Sequence, residues 1–302
     1  MSVDFERWRR LDLDRWRPWS RGPGGGRLSE WIETGAAGID AVPRPVRKGV
    51  SVFALLAVWW AFVRFGVLGF GVFVSPVETA VAVGSHLAGE PVADGATIYV
   101  HAAYTAGRVV GGVVLAVAIA VPLGLLIGTR RRFERYLFPS LEFLRPIPPI
   151  AWVPLVLVIF PTVRSGVLFV VFLGAFFPSL VNTIRGVESV DDEYSRAAES
   201  LGASDRQTLR HVVLPAALPS ILTGVTIGVG LGWITVVAAE MITGEYGLGH
   251  VVFQAYRLVD VQSVVVGMIA VGFLGAVSTA LVSRVATRLG PWLEEAPAGV
   301  TQ

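Results

Sequence analysis

The sequence predicts an all-α, polytopic membrane protein with about six transmembrane helices, and two features carry this prediction. The first is composition: 53% of the 302 residues are hydrophobic and 16% are charged, and the mean hydropathy of +0.63 is far above that of a soluble domain. The second is a set of apolar segments close to the roughly 20 residues that a helix needs to cross the hydrocarbon core. We therefore expect a multi-pass protein of the cell membrane, inner or plasma.

The apolar segments follow one another from residue 49 to residue 285. They lie near 49–70, 105–128, 147–165, 166–185, 217–241 and 261–285. The third and fourth belong to one long apolar stretch, interrupted only by Pro161, Thr162 and Arg164. A single helix of that length would exceed the membrane thickness, so we divide it at these residues into a tight hairpin.

The arginines predict which side of the membrane each loop faces. No lysine or arginine lies between residues 66 and 105. The next loop is rich in arginine, with Arg130, Arg131, Arg132, Arg135 and Arg145. Positive residues collect on the cytoplasmic side, so we expect both termini, this loop and residues 186–217 inside. The two remaining outer loops carry one arginine each, Arg164 and Arg257.

This topology divides the chain into three parts. Residues 1–48 are predicted to be a cytoplasmic extension rich in Arg and Trp, residues 49–290 the transmembrane domain, and residues 291–302 a cytoplasmic tail. Two interpretations of the extension stay open. It forms either an amphipathic helix at the headgroups, with Phe5, Trp8 and Leu11 turned to lipid, or a solvated and mostly disordered tail.

Residue usage argues against several functions. The chain has no cysteine, so it forms neither disulfides nor thiolate metal sites, and its four histidines lack the spacing of metal ligands. Its one lysine, Lys48, follows no glycine-rich loop, so the chain has no P-loop for ATP. No catalytic motif appears. We expect no cofactor, no metal and no catalysis in this chain, and the net charge of +2 gives no indication of nucleic-acid binding.

Small residues predict three close helix contacts in the membrane. Glycines recur four residues apart as Gly107/Gly111, Gly124/Gly128 and Gly224/Gly228. This spacing lets helix backbones approach each other in lipid.

The loop at about 186–217 predicts a helix, a turn and a helix. Ser189 is expected to cap the first helix, which has an acidic first turn, and Gly202 to end it in the left-handed conformation. Ser204 and Gln207 predict a capping box for the second helix, which Pro215 would terminate. The alternative is an ordinary connecting loop, although two capped helices are more than most linkers need.

This loop resembles the cytoplasmic signature of permease subunits of ATP-binding-cassette importers: Glu-Ala-Ala, three residues, Gly, nine residues, Ile, one residue, Leu-Pro. The matching residues are Ala197, Ala198, Gly202, Val212, Leu214 and Pro215. Val212 replaces the usual Ile, and Arg196 replaces the usual Glu. Because Arg196 reverses a charge, either the partner supplies an acid or Arg196 pairs within its helix with Glu193 or Glu199.

The resemblance extends over roughly residues 50–290 and narrows to the nitrate, sulfonate, taurine and bicarbonate branch. It is carried by SPVETA (75–80), LEFLRPIPPIAWVPL (141–155), AFFPSLVNTIRGV (175–187), HVVLPAALPSILTG (211–224) and GWITVVAAEM (232–241). It implies a type I importer fold and a pathway for a small, anionic solute. It also implies partners: a second and usually identical permease, two P-loop ATPases that bind ATP and Mg, and an external solute-binding protein. The docking face would include Leu201 beside the matching residues.

Candidates for the solute pathway are the polar residues deepest in the apolar segments. Glu240 is the main one, because an ionisable group at membrane depth usually faces a cavity or a partner. Its alternatives are an interfacial position or a pair with Arg108 or Arg164. The other candidates are Asn182, Thr223, Thr226 and Thr235, whose alternative role is hydrogen bonding to nearby helices.

An ion-coupled secondary transporter is the alternative function. Such a protein would normally carry several intramembrane carboxylates and an internal repeat. This sequence has one strong candidate carboxylate, Glu240, and no repeat.

Overall fold

The computed structural model describes residues 44–66, 73–92 and 95–289. The predicted extension up to residue 43 and the tail 291–302 lie outside these residues. The described elements are helices; no strand forms within them, and an isolated bridge joins Pro91 and Thr97. The all-α prediction is confirmed.

The chain divides into two units, residues 1–71 and 72–302. In the first unit the structure describes helix α1, Arg44–Phe65. Its apolar part, Gly49–Phe65, is shorter than a full span, and apolar side chains such as Phe53 and Leu55 are exposed. The predicted first span, 49–70, is therefore described only as far as residue 66.

In its described residues the second unit forms helices α2 to α11. They are α2 Pro76–Leu87, α3 Ile98–Thr129, α4 Arg131–Leu144, α5 Val153–Ile159, α6 Val163–Glu188, α7 Asp192–Ser200, α8 Asp205–Thr208, α9 Leu214–Thr243, α10 Leu248–Arg257 and α11 Val261–Leu289. A 3-10 turn, Pro149–Trp152, precedes α5, and a π-helical turn, Leu209–Val213, joins α8 to α9.

Four helical stretches of the described chain are long and apolar enough to cross a membrane. They are α3, α6, the continuous Asp205–Thr243 that includes α8 and α9, and Val261–Ala286 of α11. These stretches confirm the second, fourth, fifth and sixth predicted spans. The predicted break before the fourth span is also confirmed, because Thr162 caps α6 by accepting a hydrogen bond from the Ser165 N–H at 3.2 Å.

The third predicted span, 147–165, differs from the prediction. The arginine-rich loop forms helix α4, which meets Pro149–Ile159 at a bend of 82°. Pro146, Pro148 and Pro149 explain the bend, since each removes a backbone donor and disfavours helix at the residue before it. Taken as one broken span, this pair brings the described residues to five candidate spans.

Helix α6 packs against both α3 and α9. Two of the predicted glycine pairs form these contacts, Gly124/Gly128 of α3 and Gly224/Gly228 of α9. At each of the four, an added Cβ would lie 3.0 Å or less from an atom of α6. In the third pair Gly111 is close to Leu168, but nothing lies within 4 Å of an added Cβ at Gly107, so Gly107 makes no close contact within the described part of this chain. The core follows α6, where Val171 and Ala175 are fully buried.

A smaller apolar cluster joins α2, α10 and α11 to the first turn of α3. Its buried residues are Ala82, Val92, Ile98, Leu248, Val251 and Val266. Helix α2 begins with a capping box, in which the Ser75 N–H donates to the Glu78 carboxylate at 2.8 Å. That bond lowers the pKa of Glu78 below its ordinary value.

Candidate functional site

The segment between α6 and α9 forms two helices, as predicted, but its first cap differs. Asp191 caps α7, and its carboxylate accepts a hydrogen bond from the Glu193 N–H at 2.9 Å. Ser189, the predicted cap, instead closes α6: its N–H donates to Arg185 O at 3.0 Å, and its hydroxyl donates to Gly186 O. The acidic residue is placed in extended backbone at the start of α7, where its charge also complements the helix dipole.

The turn between α7 and α8 forms as the sequence predicts. Gly202 has a φ of +83°, a conformation that glycine adopts at little cost, and its N–H donates to Glu199 O at 2.9 Å. Ser204 and Gln207 form the capping box of α8, with the Ser204 N–H donating to the Gln207 side chain at 2.8 Å.

Pro215 does not end the second helix. The chain passes through the π-helical turn Leu209–Val213 directly into α9, where Pro215 lies in the first turn. Proline donates no backbone hydrogen bond, and the wider turn accommodates this, with the Leu214 N–H donating to Leu209 O, five residues back. From Asp205 onward the segment and the spanning helix are therefore one continuous helical element, whereas α7 lies on the other side of the turn at Gly202.

The surface of this segment is open. No residue of α7 is buried, Tyr194 is exposed, and Leu201 is 89% exposed. Among the described residues Arg196 makes no ion pair, so the predicted pairing with Glu193 or Glu199 does not form. Of the other residues that match the importer signature, Ala197 and Gly202 are exposed, whereas Ala198, Val212, Leu214 and Pro215 are half-buried.

At its opposite end α9 carries Glu240, which the structure buries completely. Arg108 of α3 donates to Glu240 Oε1 at 2.7 Å, and Thr105 Oγ1 donates to the same carboxylate at 2.9 Å. The Gly249 N–H donates to Glu240 Oε2 at 3.0 Å. Arg108, itself 4% exposed, also donates to Tyr246 O. Glu240 is thus in the pair with Arg108 that the sequence offered as an alternative, and a pathway role for Glu240 stays a prediction.

The loop from α9 to α10 closes around this pair. The Gly247 N–H donates to His101 Nδ1 at 3.1 Å, and the Leu248 N–H donates to Thr105 Oγ1 at 2.8 Å. A Cβ at Gly247 would overlap the Glu240 carboxylate. Backbone donors, a hydroxyl and a guanidinium therefore satisfy the buried charge from several elements, as a buried ion pair requires.

The remaining pathway candidates lie in three places. Thr223 and Thr226 line one open cavity of about 440 Å³ together with Ser283 of α11. Asn182 is half-buried and donates to Pro178 O at 2.8 Å. Thr235 is buried and donates to Leu231 O at 2.9 Å. The structure brings Thr223 and Thr226 together in one cavity and places Asn182 against Gly224 of the same part of α9, whereas Thr235 lies further along that helix.

Sequence reasoning missed three members of the buried cluster, Thr105, His101 and Gly247. It named Arg108 only as an alternative partner. The signal for Arg108 was present, since an arginine inside an apolar span is costly unless a carboxylate neutralises it. The signal for the other residues was not, because their roles depend on a loop that returns to α3 more than a hundred residues later in the chain.

Several apolar helices that are long enough to cross a membrane and are packed through glycines are the architecture of a polytopic membrane protein. The chain belongs to the family of binding-protein-dependent transport system inner membrane components, whose model matches residues 120–295. It is 33% identical over 250 residues to the taurine transport system permease protein of Escherichia coli, covering 82% of this chain and 90% of that protein.

Two other relatives match a shorter region. An ABC transporter permease protein of Methanocaldococcus jannaschii is 46% identical over 171 residues, which cover 56% of this chain and 64% of that protein, less than two thirds of its length. The bicarbonate transport system permease protein of Synechococcus elongatus is 37% identical over 187 residues, covering 62% of this chain and 66% of that protein. The resemblance predicted from the motifs is confirmed at the level of the family.

Proposed function

We propose that this permease is the pathway subunit of an ATP-driven importer and that the segment from α7 to the start of α9 docks a separate ATPase. The observation that carries the proposal is the exposure of α7 and Leu201 on an ordered, capped segment between two spans. Ala197 and Ala198 lie four and three residues before the exposed Leu201, so two small side chains neighbour it on one face, a shape suited to a groove on a partner. The docking residues are Arg196, Ala197, Ala198, Leu201, Gly202, Val212, Leu214 and Pro215.

The continuity of α8 with α9 supports a coupling role. Because Asp205–Thr243 is one helical element, a displacement of α8 would be carried directly into the span. A packed element with two arrangements can transmit such a shift across the membrane. In this scheme the partner binds and hydrolyses ATP with Mg, and each of two ATPases drives one permease of a pair of identical subunits.

The orientation follows from charge. The arginines of α4 and the docking segment lie on the cytoplasmic side, with both chain termini, according to the bias of positive residues. The loop that carries Arg164 and the loop between α9 and α10 then face outward. An extracytoplasmic solute-binding protein would deliver the solute there.

The solute is a small anion in this proposal. Relatives named for taurine, nitrate and bicarbonate transport support it, and these compounds share a compact oxyanion group. Thr223 and Thr226, which line an open cavity, are the pathway residues that the structure supports best. The alternative, an ion-coupled transporter, would use Glu240 as its intramembrane carboxylate. Glu240 instead forms an ion pair with Arg108.

The test is purification of the full chain from its native membrane in mild detergent, with mass spectrometry of the bound proteins. We expect a P-loop ATPase to co-purify with the wild-type chain and to be lost from Leu201→Asp. The matched control is Leu258→Asp, since Leu258 is also exposed but lies after α10, on the opposite side. A chain that stays monodisperse and comes out without any ATPase would contradict the proposal and favour the ion-coupled transporter.

A further inference from the structure

An open cavity of about 680 Å³ lies between α3 and the first turn of α6, beside the buried pair, and Arg108 of that pair also lines it. Its polar lining comes from Tyr104, Arg108, Thr162, Arg164 and Ser165. Both charged residues among the lining residues are arginines, and no carboxylate lines the cavity. The cavity therefore presents cationic and hydroxyl groups to whatever enters it.

Glycine makes room for this cavity. Gly107 lines it, and an added Cβ there would meet nothing within 4 Å. The glycine that sequence spacing assigned to a helix contact thus leaves space instead, and α3 and α6 diverge around it. The space adjoins the first turn of α6, where the unpaired N–H groups and the helix dipole favour an anion.

The two arginines contribute differently. Arg108 is oriented by Glu240 and by Glu245, whose carboxylate lies 3.5 Å from its NH2 group, so most of its charge is neutralised. Its Nε is buried and has no hydrogen-bond partner among the described residues. Arg164 is exposed and makes no ion pair within the described part of the chain, so it supplies the uncompensated charge.

The hydroxyls complete the set of donors. Ser165 Oγ donates to Thr162 O at 2.8 Å, and the Ser165 N–H donates to Thr162 Oγ1 at 3.2 Å. The Thr162 hydroxyl proton is then available either to Ser165 Oγ, 2.9 Å away, or to a ligand. A guanidinium with a neighbouring hydroxyl is a donor arrangement suited to a compact oxyanion.

We infer that this cavity is a binding site for a small oxyanion, with Arg164 as its principal charge and Thr162 and Arg108 as supporting donors. The inference deepens the proposed function and depends on it for the outward orientation of the site. A solute oxyanion and a lipid headgroup phosphate share this chemistry, and the second source is available to any cationic site at a membrane surface.

The test measures thermal unfolding of the full chain in phosphatidylcholine nanodiscs with added nitrate, bicarbonate or methanesulfonate, at constant ionic strength held by gluconate. A ligand that binds the folded state raises the unfolding midpoint with concentration. We expect this rise in the wild type and an increase of about tenfold or more in the half-saturating concentration for Arg164→Gln, since a charge-assisted hydrogen bond is lost. Arg164→Lys should restore part of the response.

Two further variants test whether the response depends on this cavity and on this arginine in particular. Gly107→Leu fills the cavity from its α3 wall while keeping both arginines, and it should abolish the response. Arg257→Gln removes an exposed arginine from the other outer loop and should respond like the wild type. Arg164-dependent protection by phosphatidylglycerol nanodiscs, without protection by soluble anions, would assign the same site to headgroup phosphate.

Three outcomes would overturn the inference. In the first, Arg164→Gln and Gly107→Leu show the same rise of the unfolding midpoint as the wild type. In the second, Arg257→Gln loses as much of that rise as Arg164→Gln, and in the third neither anions nor phosphatidylglycerol raise the midpoint of the wild type. These outcomes leave the importer proposal intact whenever an ATPase co-purifies. Conversely, protection that depends on Arg164 in a chain that never binds an ATPase would support the site and refute the importer.

Discussion

The two ends of helix α9 are stabilised by opposite kinds of contact. At Leu214 the helix continues into a segment whose first helix buries nothing and leaves Leu201 almost fully exposed. At Glu240, roughly 40 Å away at about 1.5 Å per residue, the side chain is completely buried and receives hydrogen bonds from α3 and from the first turn of α10.

This difference shows which part of the molecule is stabilised by contacts within the chain and which part leaves its surface exposed. The Glu240 end satisfies its buried charge with its own residues, so it forms a fixed point between α3, α9 and α10. The α7 end has regular helices and caps, but no residue of α7 is buried, so α7 is the surface that the proposed ATPase would contact. Helix α9 is packed at both ends, since Val213, Ala217 and Ile221 form a buried cluster with Val187 of α6, and only α7 is left without buried residues.

The largest effect should come from removing the buried carboxylate. Glu240→Ala leaves Arg108 buried without its counter-charge, and we expect a loss of about 3 to 5 kcal/mol in the free energy of unfolding. Thermal or denaturant unfolding in nanodiscs measures it. The control is Glu245→Ala, which removes a half-exposed carboxylate and should cost less than about 1 kcal/mol.

The double variant Arg108→Met with Glu240→Met sharpens this test. Because it removes both charges together, it should recover much of the stability that Glu240→Ala loses. Equal losses in Glu240→Ala and Glu245→Ala would show that the buried pair does not fix this end of α9.

The next effect concerns the loop that closes around the pair. Gly247 has a φ of +150°, and an added Cβ would overlap the Glu240 carboxylate, so Gly247→Ala should cost about 2 to 4 kcal/mol. Gly244→Ala is the matched control. Gly244 has a φ of +70° in open space, so only backbone strain of about 1 to 2 kcal/mol is expected. Similar losses in both variants would argue against tight packing at Gly247.

At the open end we expect transport rather than stability to change. Gly202→Pro cannot adopt a φ of +83° and removes the N–H that donates to Glu199 O, while Ala198→Glu places a charge on the docking face. Each should lower ATP-driven uptake in proteoliposomes about tenfold, which corresponds to about 1.4 kcal/mol, with the protein still folded in the membrane. Gly202→Asn tolerates the left-handed conformation and should retain uptake. Wild-type uptake in Gly202→Pro and Ala198→Glu would refute the coupling assignment.

The smallest expected effect is an opening of the first helical turn in acid, which should differ between the capping boxes of α2 and α8. Ser75 pairs with Glu78 at the start of α2, whereas Ser204 pairs with the uncharged Gln207. The pKa of Glu78 is lowered from its ordinary value of 4.5 by the Ser75 N–H, so its stabilisation is fully present above that value and is lost as pH falls through the lowered pKa. Hydrogen exchange should therefore show the first turn of α2 opening in acid while that of α8 is unchanged. The pH dependence should disappear in Glu78→Gln, and its persistence there would assign it to another group.

Much of this architecture could be predicted from local sequence. The apolar lengths located α3, α6, α9 and α11, because a membrane requires every backbone group to be satisfied within its own helix. The turn at Gly202 and the box at Ser204 and Gln207 were predictable for a similar reason, since caps act over three or four residues. Where local signals competed, the prediction was wrong. Asp191 caps α7 in place of Ser189, and the helix continues through the π-helical turn Leu209–Val213 past Pro215 instead of ending there.

The sequence by itself thus determined the class of fold, most of the spans and the match to the importer signature, since these depend on composition, length and short-range spacing. Only the tertiary structure decided that Glu240 pairs with Arg108 and that Arg196 makes no ion pair within its own helix. It also decided that Gly107 lines a cavity, whereas Gly124 and Gly128 form close helix contacts. The physical reason is distance along the chain. A buried charge is neutralised by whichever group the fold brings beside it, and Thr105 and Arg108 reach Glu240 across more than a hundred residues.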